Sequence, residues 1–280
     1  MHCTEIINHA SYPIDERDNP RRQAVIDAVR EELAADGCAL VKDFLSPAGL
    51  ESLLSEAMER RDYAYFSEQK MTNAYLNDGD PSMPREHPVN YMMPRTNGFV
   101  TADHLATGTH ARELYDWAPL TRFIQDCLGK DDLYIYEDPI SNMILNVGTP
   151  GTEFNWHFDT NEFTITMLLK PADSGGYFDY APNIRNAKDE CYDEVDAVLR
   201  GDRERVKRLD LQPGDLQLFL GRFSLHKVTE NTGETDRLLL IMSFAEEPGM
   251  VGSKQRVKQL YGKTTEVHEN QQARTDGLRD

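Results

Sequence analysis

Apolar residues recur at helical spacing through the first sixty positions and then fall into short alternating blocks, which predicts helices followed by strands. Asn19-Pro20 reads as a cap and a first helical residue. Val25, Val29 and Leu33, with Ala24 and Ala28, form an apolar stripe that stops at Gly37. Ala39-Leu40-Val41 predicts a strand. A second helix opens at Ser46-Pro47 and carries Leu50, Leu53, Leu54, Ala57 and Met58 at helical spacing. Both helices are expected to be scaffold packed on a sheet. Over residues 62–109 the pattern loosens, and Asn77-Asp78-Gly79-Asp80-Pro81 marks an irregular stretch. Long segments of this kind serve as lids or binding loops.

A helical stretch over residues 112–127 leads into a β-rich half. Strands are predicted at residues 133–137, 140–147, 163–170, 175–180, 216–220, 224–229 and 237–244, with a helical insert near 190–199. Many short strands after a helical beginning predict an α+β chain built on a jelly roll. Residues 221–230 and 236–246 read as a hairpin joined through Asn231-Thr232-Gly233-Glu234. One domain is expected: a helical, lid-bearing part (1–130), a jelly-roll core (131–262) and a polar, peripheral tail (263–280).

Charge narrows the classes of partner. With 30 basic and 48 acidic side chains the chain carries a net charge of −18, which argues against nucleic acid or an anionic membrane surface, since both require a basic footprint. Cys3, Cys38, Cys127 and Cys191 lack metal-type spacing and are expected to be free thiols. The first residues show no basic start with an apolar core, and no apolar run reaches membrane-spanning length, so a reducing cytoplasm is the expected setting. Oligomeric state leaves no signal in the sequence.

The candidate chemistry sits in Asn155-Trp156-His157-Phe158-Asp159 and Ser224-Leu225-His226-Lys227-Val228. Alone, His-X-Asp marks only a hydrogen-bonded pair. On extended backbone, however, residues two apart project from one face about 6.6 Å apart. With His226 as third donor they make the two-histidine, one-carboxylate set that holds non-haem Fe(II) with open positions. Arg237 opens the apolar run Leu238-Leu239-Leu240-Ile241-Met242. A guanidinium entering a buried strand is costly without an anion, and a dicarboxylate cosubstrate on the metal would supply one. For that role Arg237 must share a face with Leu239, Ile241 and Ser243.

Further candidates are weaker. Thr164 or Thr166 and Asn142 would hydrogen-bond the cosubstrate, and Glu137 would take a substrate ammonium. Trp156 and Phe158 are expected to pack around His157, and Asn183 and Arg185 to be structural. His2, His9, His87, His104, His110 and His268 lack ligand spacing.

His157-Phe158-Asp159, His226 and Arg237 resemble the iron triad and cosubstrate arginine of the Fe(II)/2-oxoglutarate-dependent oxygenases. More narrowly, residues 155–262 resemble a group acting on free amino acids that contains both hydroxylases and halogenases. The supporting phrases are Asp159-Thr160-Asn161-Glu162-Phe163, Ser174-Gly175-Gly176-Tyr177-Phe178, Asn183-Ile184-Arg185, Gly214-Asp215-Leu216-Gln217-Leu218-Phe219 and Leu260-Tyr261-Gly262. The resemblance implies a double-stranded β-helix, Fe(II), 2-oxoglutarate and O2 as reactants, and C–H oxidation of a small molecule such as a free amino acid or amine-bearing metabolite. It also implies an arginine for the substrate carboxylate, for which Arg95 in Met93-Pro94-Arg95-Thr96-Asn97-Gly98 is the candidate. Halogenases of the group carry glycine where this chain keeps Asp159, so hydroxylation is expected, with desaturation or oxidative cyclisation as the variant ending. Two other classes stay open: a cupin-like metal enzyme that does not use 2-oxoglutarate, and a non-catalytic ligand-binding barrel.

Overall fold

The structure is a computed structural model that describes residues 1–105, 108–269, 271 and 277–279. Its first long helix, Pro20–Asp36, begins where Asn19 accepts a hydrogen bond from the Arg21 N–H and ends at Gly37, whose φ of 62° suits a residue without Cβ. The second, Pro47–Arg60, is capped by Ser46 through the Gly49 N–H. The buried stripe of the first helix is Arg22, Ile26, Val29 and Leu33, whereas Ala24 and Ala28 face solvent. Arg22 takes an inward position with its guanidinium 5.9 Å from the centre of the Phe123 ring and paired with Asp126 at 2.5 Å. The expected helix over residues 112–127 is two helices, His110–Tyr115 and Ala118–Leu128, the second with proline in its first turn. Pro119 supplies no N–H to carry one helix through.

Two antiparallel sheets face each other. The larger runs Cys38–Val41, Leu216–Phe219, Thr164–Lys170, Arg237–Ala245, Met143–Gly148, Gly98–Val100 and Tyr65–Phe66, with Tyr134–Ile135 beside the fourth. The smaller runs Lys207–Leu209, Phe178–Ala181, Leu225–Val228 and Phe154–His157. From Met143 onward the chain passes repeatedly between them, which is the double-stranded β-helix. Two strands were not legible as a pair. Leu225–Val228 and Arg237–Ala245 lie in different sheets, so the expected hairpin is instead a crossover. Asn231 makes that crossover by donating to the Gly148 and Thr235 carbonyls, both at 2.8 Å.

Alternation along the large sheet divides its residues. Ile165, Met167, Leu238, Leu240 and Met242 join Val29, Leu53 and Phe123 of the helices in the main core, while their neighbours face the smaller sheet. The helix Lys254–Tyr261 and the short turn Glu266–Glu269 close one side. The tail is less peripheral than expected. His268 is buried, with its Nε2 3.0 Å from Asp138 Oδ2, and Arg279 donates to Asp80 at 2.8 Å. Cys3, Cys38, Cys127 and Cys191 are free, and among the described residues no helix is long and apolar enough to cross a membrane.

Truncating Leu240 removes a buried side chain from the seam between helices and sheet. Leu240→Ala is expected to lower unfolding free energy by about 2–5 kcal/mol. Ala28→Ser on the exposed helix face should change it by less than about 0.5 kcal/mol. Urea unfolding followed by circular dichroism checks both.

Candidate metal centre

Strand pairing brings the two histidines together. Phe154–His157 lies antiparallel to Leu225–Val228 with His157 directly opposite His226, and the ring centroids are 4.1 Å apart. Asp159 lies just past the strand end, its N–H donating to the Gly221 carbonyl at 3.0 Å. Gly221 is required there: a Cβ would stand 2.0 Å from Asp159 Oδ2. Thr164 donates to that same oxygen at 2.7 Å, and the other, Oδ1, lies 3.6 Å from His226 Nε2. One donor atom from each of His157, Asp159 and His226 lies within 4.8 Å of the others, the only such group among the described residues.

Each imidazole is oriented by its other nitrogen. His157 Nδ1 donates to the Asn155 carbonyl at 2.7 Å, and His226 Nδ1 to the Ser224 carbonyl at 3.0 Å. Both Nε2 lone pairs are thereby available to a metal, the usual outer-shell arrangement of ligating histidines. Phe154 stacks on His157 at 3.6 Å and Phe219 meets His226 edge-on at 4.8 Å. Burial, reinforced by the neighbouring His226, holds the His157 pKa well below its ordinary value. Burial acts to raise the Asp159 pKa, but the His226 and His157 rings and the Thr164 hydroxyl prevail and hold it well below the carboxylate range. Neutral imidazole beside ionised carboxylate is the protonation state that binds a divalent ion, so the donor set fits one.

The cluster opens into a cavity of about 150 Å³ between the sheets. Leu239, Ile241 and Ser243 line it, whereas Leu238 and Leu240 point into the main core. Arg237 therefore has the inward register. It lines a small recess next to the cavity, and Asn146, Phe154 and Val228 border both. Gly176 admits its stem, since a Cβ there would lie 3.0 Å from Arg237 Cδ. Arg237 is 4% exposed and its Nη1 has no hydrogen-bond partner in the structure. Burial without an anion beside it pushes its pKa down to about 10. Asn97, in the same recess, leaves both side-chain polar atoms unpartnered. A recess with donors to spare at this position fits the far carboxylate of a dicarboxylate.

Other expectations meet mixed outcomes. Thr166 lines the cavity and donates to Gln217 Oε1 at 2.9 Å. Asn142 does not line it. The strand begins only at Met143, and Asn142 accepts from Arg112 Nη2 at 3.0 Å outside the wall, whereas Asn146 of the same strand lies inside it. Glu137 is exposed, accepting from the Gly249 N–H at 2.9 Å, because the strand end there turns it outward. Arg95 is 1% exposed and also absent from the wall. It donates to the Gln259 carbonyl at 3.2 Å, and its Nε and Nη1 have no partners. Trp156 and Phe158 are buried together. Arg185 is structural, bonded to Glu190 and stacked over Phe158 at 3.8 Å.

The sequence reading missed Asn161, Arg256 and Tyr261, all in the wall. The signal for the last two was present. Ser253 caps the helix, Val257, Leu260 and Tyr261 follow at spacings of three and four, and Gly262 ends it with φ 74°.

The fold and this site together define a double-stranded β-helix with a metal-ligand cluster at one end. The chain belongs to the Halogenase D family, whose profile matches residues 84–259. No curated protein matches the sequence. Among solved structures it is similar to the non-heme alpha ketoglutarate dependent epimerase SnoN from nogalamycin biosynthesis. That match has 14% identity and a TM-score of 0.56, covering 80% of this chain and 84% of the other. An oxidoreductase of the 2OG-Fe(II) oxygenase family from Burkholderia pseudomallei matches at 13% identity and TM-score 0.53, covering 79% and 91%. A prolyl hydroxylase from Trichoplax adhaerens matches at 15% identity and TM-score 0.53, covering 85% and 93%. At these identities the likeness is one of fold.

A buried guanidinium lacking an anion weakens the unliganded protein. Arg237→Met, which keeps the stem and removes the charge, is expected to raise its unfolding free energy by about 1–3 kcal/mol. Thermal and urea unfolding without added ligand measure this.

Proposed function

We propose that this protein is an Fe(II)/2-oxoglutarate-dependent oxygenase that hydroxylates an unactivated C–H bond of a small molecule, a free amino acid or amino-acid derivative. The observation that carries this reading is the pairing of a two-histidine, one-carboxylate cluster with the buried, incompletely partnered Arg237 in a recess that borders the same cavity. His157, Asp159 and His226 would hold the ferrous ion, and Arg237 the far carboxylate of 2-oxoglutarate, with Thr166 on the wall between. With O2 these groups supply an oxidant able to take hydrogen from an aliphatic carbon.

The chain's own contribution is orientation and exclusion. The carbonyls of Asn155 and Ser224 fix the imidazoles, and Gly221 and Thr164 fix the carboxylate. Phe99, Ile144, Phe154 and Leu260 line the cavity with hydrocarbon, which keeps bulk water from the reacting carbon. Membership in a family named for a halogenase raises chlorination as a second reading. Asp159 weighs against it: a carboxylate held by its backbone N–H, Thr164 and the close approach of Gly221 keeps the coordination position that a halide would need.

The test is incubation with Fe(II), 2-oxoglutarate and oxygen over a panel of free amino acids, following succinate and product mass. A gain of one oxygen is expected with at least one of them, and a loss of two hydrogens would mean desaturation or cyclisation. Arg237→Ala should lower turnover at limiting 2-oxoglutarate by at least about tenfold. Full turnover by that variant would point to a metal enzyme that does not use the cosubstrate. Asp159→Gly with added chloride is expected to lose hydroxylation, and chlorinated product from the unaltered protein would overturn the hydroxylase assignment.

A further inference from the structure

Strand register puts three residues of the recess in one row. Arg237 pairs with Gly148 and Leu239 with Asn146, while Phe99 pairs with Asn146 from the other side. Gly98 pairs with Val147, so Asn97, one residue earlier, comes abreast of Gly148. Asn97, Gly148 and Arg237 all border the recess, and Phe99, Asn146 and Leu239 form the next row, in the cavity. Neighbouring strands lie about 4.8 Å apart, so Asn97 and Arg237 stand on either side of the glycine with backbones about 10 Å apart. Both are buried, at 3% and 4% exposure, and Asn97 Oδ1, Asn97 Nδ2 and Arg237 Nη1 have no hydrogen-bond partner in the structure. Gly148 is not demanded by its own neighbours. A Cβ there would meet Arg237 Cβ at 3.5 Å, the Arg237 carbonyl oxygen at 3.8 Å and Thr152 Oγ1 at 3.9 Å, all ordinary contacts. The fold would accept alanine, and what the glycine leaves is space between two polar side chains.

We propose that Asn97, Gly148 and Arg237 act as one cross-strand cradle for the far carboxylate of the dicarboxylate cosubstrate, with Asn97 as its second donor and Gly148 as its floor. The inference rests on the oxygenase reading above, which uses Arg237 alone. A carboxylate has two oxygens with about four lone-pair positions, and a guanidinium meets it along one edge. In a buried recess the lone pairs left over must find donors or cost free energy. The Asn97 amide answers from across the row, with Nδ2 donating to the carboxylate and Oδ1 accepting from Arg237 Nη1. One ligand then satisfies all three unpartnered atoms. Because the amide is neutral, it adds a hydrogen bond without a second buried charge. A 2-oxo acid without the far carboxylate offers none of these contacts, and a methyl group at position 148 would take the place of a carboxylate oxygen. The cradle therefore selects the diacid by hydrogen bonds and shape as well as by charge.

The test uses the full-length protein with Fe(II) in the absence of oxygen, titrated with 2-oxoglutarate while the metal-to-ligand charge-transfer absorption is followed. 2-Oxobutanoate, which has the same metal-binding end but stops short of the cradle, is titrated alongside. Asn97→Leu and Gly148→Ala should each weaken 2-oxoglutarate binding about 10- to 100-fold and leave 2-oxobutanoate within about twofold of the wild type. Asn97→Asp, which sets a like charge beside the carboxylate, should weaken 2-oxoglutarate at least as much as Asn97→Leu. Thermal unfolding separates a binding role from a structural one. Without ligand, Asn97→Leu and Gly148→Ala should melt at or above the wild-type temperature, since the first removes unpartnered polar atoms and the second a flexible residue. The rise in melting temperature that 2-oxoglutarate produces should shrink in both. If one variant fails to fold, the other decides. Variants that bind 2-oxoglutarate as tightly as the wild type, or that weaken both 2-oxo acids equally, would overturn the cradle and leave the oxygenase reading standing. A wild type that develops no absorption with 2-oxoglutarate would overturn both.

Discussion

Holding two imidazoles and a carboxylate within 4.8 Å of one another is the constraint to which the rest of the structure answers. Three donors so close lose much of their hydration, and each must be held in place without the metal's help. The fold does this with backbone. Antiparallel pairing sets His157 opposite His226, carbonyls two residues earlier orient both rings, and a glycine lets the carboxylate approach the neighbouring chain. Little of this depends on long side chains, so the cluster is as rigid as the sheet that bears it.

The cavity and the recess beside it hold polar groups whose partners are missing from the fold. Arg237 Nη1, both polar atoms of Asn97 and Asn161 Oδ1 are buried without hydrogen bonds. Buried polar groups are normally satisfied, and each exception costs about 1–3 kcal/mol. Arg237 and Asn97 line the recess and Asn161 the adjoining cavity, while the helices and the outer face of the large sheet bury ordinary hydrocarbon; unpartnered donors beside a cavity are the arrangement expected where stability is traded for preorganised binding. A net charge of −18 makes the trade more pointed. An anionic ligand would approach against the overall field, and the buried guanidinium of Arg237 would give it a local reason to stay.

Asp159 also separates this chain's reading from the name of its family. A family profile over residues 84–259 establishes common descent, but chemistry is argued from the site and not from the fold. Here the carboxylate is present and fixed by three neighbours, Gly221, Thr164 and His226.

What the sequence determined by itself was local. Helix caps at Asn19 and Ser46, the stop at Gly37 and the His-X-Asp spacing depend on contacts within a few residues, and the inward parity of Arg237 follows from the two-residue period of a strand. Parity also separated Leu239, Ile241 and Ser243 in the cavity from Leu238 and Leu240 in the core. Tertiary structure decided what depends on which strands are neighbours. Residues 221–246 had the marks of a hairpin, yet Asn231 diverts the chain into the other sheet, since turn residues do not encode the partner of the strand that follows. Asn142 and Glu137 fell outside the wall because a shift of a residue or two in where a strand begins or ends redirects a side chain. Arg256 and Asn161 entered it from a helix and a loop about a hundred residues apart in the chain. Only packing in three dimensions could bring them to the same wall.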